Sequence, residues 1–128
     1  MSKKTPKPTD GELAILAVLW RLGPCTVREV HTQLSDTQET GYTTVLKLMQ
    51  IMAEKGIVTR DESRKTHVYA AAIREEDVQG RFLGDLIARV FHGSTQNLVL
   101  RALSTKKASA DDLASIRKLI DDMEKGGK

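Results

Sequence analysis

The sequence predicts a mainly α-helical fold with a single small β-hairpin. Two changes of hydrophobic period carry that prediction. Up to Gly56 the apolar residues recur at helical spacing in three runs. From Ile57 to Ala70 they fall into two short β-type stretches around a charged turn, and from about Arg74 helical spacing returns. A third observation fixes where the helices start: Thr9, Thr26, Ser94 and Ser109 each stand just ahead of a helical run, where a side-chain oxygen can cap free backbone N–H groups.

Met1 to Pro8 is polar, with three lysines and two prolines, and is expected to form a flexible arm. Thr9 with Glu12 makes a capping-box pattern for a first helix reaching about Leu22. Leu13, Leu16, Ala17 and Trp20 share one face, and Ile15, Val18 and Leu19 make the helix apolar elsewhere too, so it is expected to be central. Gly23-Pro24 stops it. Thr26 with Glu29 opens a second helix to about Leu34, with Val27, Val30 and Leu34 inward. Ser35 to Glu39 reads as a turn. A third helix runs from about Gly41 to Lys55, and Gly56 suits its left-handed cap.

The hairpin follows, with strands at Ile57 to Arg60 and Thr66 to Ala70 and a charged turn at Asp61 to Lys65. Three helices followed by a hairpin with a basic tip is the order of a winged helix-turn-helix. Beyond it, Phe82, Leu83, Leu86, Ile87, Val90 and Phe91 form an apolar stripe that His92-Gly93 breaks. Ser94 caps a run with Leu98, Val99, Leu100 and Leu103. Ser109, Asp111 and Asp112 open a last helix whose apolar face is Leu113, Ile116, Leu119, Ile120 and Met123. Both long stripes are too apolar for isolated helices. They either fold back on the first helices or are shared with a second copy.

Aromatic residues are only 4% of the chain, so its core must be built from Leu, Ile, Val, Met and Ala. The formal net charge of +3 is compatible with nucleic acid without requiring it. Basic and acidic residues are interspersed along the whole chain, so evidence for DNA binding must come from where charges sit. A single cysteine, Cys25, excludes an intrachain disulfide and is expected to be a small apolar filler. No run is long enough to span a membrane and the start lacks the apolar stretch of a signal peptide, so the chain is expected to be soluble and cytoplasmic.

On a helical wheel of the third helix, Val45, Leu48, Met49 and Met52 make the core face. Thr43, Lys47, Gln50 and Glu54 lie opposite, flanked by Thr44 and Leu46. Thr, Lys and Gln can hydrogen-bond base edges or phosphates, and Leu46 can touch a thymine methyl. The same residues would suit any solvated helix face. Arg64 and Lys65 at the hairpin tip, beside Arg60 and His67, add cations where a wing meets backbone phosphate, and the two features in this order favour DNA. Candidate DNA contacts are therefore Thr43, Thr44, Leu46, Lys47, Gln50, Arg64 and Lys65.

Catalysis has little support. His31, His67 and His92 lie in three different elements without ligand spacing, and the Asp111/Asp112 and Asp121/Asp122 pairs are adjacent residues that do not face each other on a helix. Phosphate loops and nucleophile elbows are absent, so no enzyme activity, cofactor or metal is expected.

Glu12-Leu13-Ala14-Ile15-Leu16 with Leu19-Trp20, Thr26-Val27-Arg28-Glu29-Val30, Tyr42-Thr43-Thr44-Val45-Leu46, Glu54-Lys55-Gly56-Ile57-Val58, Tyr69, Phe91-His92-Gly93-Ser94 and Leu98-Val99 occur here in that order. Together they make the chain resemble the penicillinase-repressor family, the BlaI/MecI/CopY group of winged-helix regulators, over roughly Thr9 to Met123. The resemblance implies a dimeric repressor on double-stranded palindromic operator DNA, with the third helix in the major groove and the hairpin as wing. Beyond the flexible arm at 1–8, it implies a winged-helix DNA-binding domain at 9–72 and a helical dimerisation region at 73–128. In that region Phe82, Leu83, Leu86, Ile87, Val90, Phe91, Leu113, Ile116 and Ile120 would be shared between two copies. It also implies a membrane sensor protease as inducing partner, cutting an Asn-Phe bond, but the matching pair here is Arg101-Ala102. Either that cut is lost or the protease has another specificity. The copper-responsive branch carries a Cys-x-Cys motif that this chain lacks. A protein-binding winged-helix adaptor, and a repressor released by a directly bound small ligand, are the alternatives.

Overall fold

The computed structural model describes residues 6–126. In chain order it contains α1 (Asp10–Leu22), α2 (Val27–Ser35), α3 (Tyr42–Lys55), β1 (Val58–Asp61), β2 (Val68–Ala71), α4 (Glu75–Arg89), α5 (Thr95–Thr105) and α6 (Ala110–Lys125). Complete capping boxes start α1, α2 and α6, from Thr9, Thr26 and Ser109, and Ser94 caps α5 through the Asn97 amide. Each such cap stabilises its helix by about 1 kcal/mol. Gly56 ends α3 at φ 82°, in the left-handed region. The chain divides into two compact units, 1–84 and 85–128, with α4 running from the first into the second. Of the arm expected at 1–8, residues 1–5 lie outside the described residues. Lys7 sits 5.3 Å from the Phe82 ring centroid and Pro8 is buried.

In the first unit β1 and β2 pair antiparallel, Val58 opposite Ala71 and Asp61 opposite Val68. Each strand starts slightly later than its sequence pattern suggests. A further bridge joins the α1–α2 turn to this hairpin: Cys25 and Tyr69 exchange two backbone hydrogen bonds, at 2.9 and 2.8 Å. The core gathers Ile15, Leu16 and Leu19 of α1, Val30 of α2, Val45, Met49 and Met52 of α3, and Ile57, Val58 and Tyr69 of the hairpin. Removing each large side chain from water contributes about 1.5–3 kcal/mol. Cys25 belongs to the same cluster, as a small apolar filler would.

The face expected for α1 is corrected in part. Leu16 is buried, but Ala17 is exposed and Leu13 and Trp20 are half-buried; the buried set is Glu12, Ile15, Leu16, Val18 and Leu19. A helix apolar on several sides leaves its inward face to its tertiary neighbours, here α2, α3 and β2. Leu48 of α3, expected in the core, is also only half-buried and packs at its edge.

The second unit has a different surface. Neither α5 nor α6 contains a buried residue. Val90, Leu100, Leu119, Ile120 and Met123 are each about half exposed or more. Among the described residues no helix is long and apolar enough to cross a membrane, and no group of acidic, His and Cys residues is placed to hold a metal.

Candidate nucleic-acid interface

The outward side of α3 is set by what its inward side buries. With Val45, Met49 and Met52 fixed in the core, the helical period turns Thr43, Thr44, Lys47 and Gln50 to solvent and leaves Leu46 half-buried at the flank. The first turn of α3 contains no acidic residue, and Gly41 supplies no side-chain cap. The amides there and the hydroxyls of Thr43 and Thr44 are thus open to an acceptor such as a phosphate oxygen. Glu54, near the other end, adds the one acid on this face.

Two fixed contacts hold α3 in place. Glu12, with its side chain 3% exposed, takes a 2.6 Å hydrogen bond from Lys55 Nζ and one of 3.0 Å from the Thr9 amide. Burial pushes the Glu12 carboxyl up, but the Lys55 ammonium and the Thr9 donors outweigh it and hold the group below the ordinary carboxylate range. At the opposite end of α3, His31 Nε2–H donates to the Thr40 carbonyl at 2.8 Å, ordering the segment that leads into the helix.

The hairpin turn is ordered by its own acids. Asp61 accepts from the Ser63 hydroxyl at 2.7 Å and the Ser63 amide at 2.9 Å, which hold its carboxyl below the usual value. Arg60 Nε donates to Glu62 at 2.7 Å, and the Tyr69 hydroxyl and then Glu62 raise the Arg60 guanidinium above its ordinary value. Arg64 and Lys65 remain exposed at the tip.

An open cleft of about 370 Å³ lies between α3 and the hairpin. Of the candidate residues, it brings together Leu46, Gln50 and Lys65. Thr43, Thr44 and Lys47 share the exposed side of α3 without lining the cleft, and Arg64 stands apart in the turn. The cleft also contains Arg28 of α2 and Tyr42 of α3, which sequence reasoning did not select, together with Arg60 and His67, which it noted only as neighbours. Arg28 had a signal: it is a cation on the outward side of α2, where Val27, Val30 and Leu34 face in. The cleft is therefore a cationic concavity with one apolar flank, suited to a phosphate-bearing polymer.

The other predicted positions are reported in the same way. His67 is exposed in the cleft, and His92 is exposed at a left-handed φ of 52° between α4 and α5. Arg101 and Ala102 are exposed within α5. In the two long stripes, Leu83, Leu86, Val90 and Ile120 are exposed, while Phe82, Ile87, Phe91, Leu113 and Ile116 are half-buried.

Residues 8–122 match the family described as Penicillinase repressor. The chain is 32% identical over 119 residues to the transcriptional regulator BlaI of Mycobacterium tuberculosis, covering 91% of this chain and 85% of that protein. A solution structure of the DNA-binding domain of the repressor BlaI is similar at 27% identity and a TM-score of 0.51, covering 60% of this chain and 93% of that one. A solution structure of the monomeric form of Bacillus licheniformis BlaI with the blaP half-operator is similar over the same shares of both chains, at 27% identity and a TM-score of 0.50. The three helices, the hairpin and their order agree with this likeness, and the chain belongs to the penicillinase repressor family.

Proposed function

We propose that this protein is a sequence-specific DNA-binding transcriptional repressor that acts in the cytoplasm as a homodimer on a palindromic operator, and that it is not an enzyme. The observation that carries the reading is the cleft in which Leu46 and Gln50 of α3 meet Lys65 of the hairpin, beside a helix face of Thr43, Thr44 and Lys47. B. licheniformis BlaI, which is similar over the winged-helix part, has been solved with an operator half-site. In this reading α3 lies in the major groove, its N-terminal residues reach the bases, and Arg64 and Lys65 meet backbone phosphate. Dimerisation is supported by the exposed apolar residues of α4, α5 and α6. Two-fold pairing puts half-sites one or two turns apart, on the order of 34 Å per turn. A membrane sensor protease is the third partner in this reading, and a cut at Arg101-Ala102 would require α5 to unwind.

The test is a gel-shift titration on the region upstream of the protein's own gene, and on duplexes enriched from a random library, with non-specific competitor. A discrete complex that survives competitor and is lost in Lys47→Ala, with an unchanged thermal melt, is expected. No binding to any duplex even at low salt would overturn the reading.

A further inference from the structure

We infer that Arg28 is a phosphate contact at the edge of the reading surface and that Tyr42 is its positioning residue. The inference rests on the reading of the cleft as a DNA interface. Arg28 lies on α2, outside the reading helix, with its guanidinium carbon 5.6 Å from the Tyr42 ring centroid. His31 meets the same ring edge-on at 5.9 Å and 81°, and His31 is itself fixed to the Thr40 carbonyl. Side chains from α2 and the first turn of α3 thus hold one another, and the segment between those helices is tied in with them. Arg28 and Tyr42 line the same cleft as Gln50 and Lys65.

Two features assign Arg28 to phosphate rather than to structure. Among the described residues no ion pair joins Arg28 to a carboxylate, unlike Arg60 at the other side of the same cleft, so no acid takes up its guanidinium N–H groups. A guanidinium held over an aromatic face by cation–π attraction still has N–H groups to donate, and phosphate oxygens accept from them. The contact also limits the rotamer freedom Arg28 would lose on binding. Cations then enter the cleft from α2 as well as from the hairpin, as a backbone-positioning contact requires.

The experiment uses the full chain and a duplex enriched by the wild type from a random-sequence library, with a scrambled duplex beside it, each titrated at several salt concentrations. Arg28→Gln is expected to make the log–log salt slope shallower by about one and to weaken both duplexes by the same factor. Tyr42→Leu should weaken binding about two- to fivefold in the same way, and Tyr42→Phe should match wild type. Adding Tyr42→Leu to Arg28→Gln should cost nothing further, since the ring acts through the guanidinium. Thermal melts of the variants check the fold. An unchanged slope in Arg28→Gln, a loss confined to the enriched duplex, or single losses that multiply in the double variant would each overturn the inference while leaving the repressor reading intact. A wild type that binds no duplex overturns both.

Discussion

Glu12 does two jobs. It completes the capping box that starts α1, and it receives the Lys55 ammonium from the end of α3. Glu12→Gln separates them, because a glutamine oxygen can still accept from the Thr9 amide while the charge is gone. Lys55 is 48% exposed, so screening by water keeps the loss to about 1 kcal/mol. The folded carboxyl sits below its unfolded value, so this stability is complete above the ordinary carboxylate range and disappears as pH falls through the lowered folded value. Urea midpoints across that range should fall more shallowly with acid in Glu12→Gln than in wild type. The cap was legible in the sequence, since Thr9 and Glu12 are three residues apart. The ion pair was not, because nothing in local spacing relates Glu12 to the end of the third helix. The same holds for Arg28 over Tyr42: each is ordinary in its own helix, and only the packing of α2 on α3 brings them together.

Elements were more legible than partnerships. Caps at Thr9, Thr26, Ser94 and Ser109 and the glycine after Lys55 are written locally, and the helices start and stop where those signals stand. Hairpin strands begin late because their hydrogen-bond register, not their apolar pattern, sets the first paired residue. The Cys25–Tyr69 bridge had no sequence signal, being made entirely of backbone groups. Gly56 is the sharpest element-level requirement. A Cβ there meets nothing within 4 Å, so Gly56→Ala isolates the cost of the left-handed conformation. That cost is about 1–2 kcal/mol. A lower denaturant midpoint with an unchanged slope would report it. Specific DNA binding should survive under conditions where the variant stays folded, because α3 still packs on the same core.

For the whole molecule, the apolar stripes of the last three helices were visible in sequence, but what covers them was not, since a period gives a face and no partner. With no buried residue in α5 or α6, the apolar residues of those helices are at most half-buried. Leu86→Asp or Val90→Asp, at side chains 41% and 57% exposed, is expected to give monomers by light scattering and much weaker operator binding. A variant still dimeric would refute that assignment. The wild-type melting temperature should rise with protein concentration, and that of the Asp variants should not. The same exposed surface bears on how long each molecule survives. A newly made chain without a second copy presents Val90, Leu100, Leu119 and Met123 to whatever chaperones and proteases sample unpaired apolar surface. In the proposed dimer this surface is covered, so turnover is expected to be fastest when the protein is scarce and to slow as pairs accumulate, sharpening the difference between a cell with little of this protein and a cell with enough.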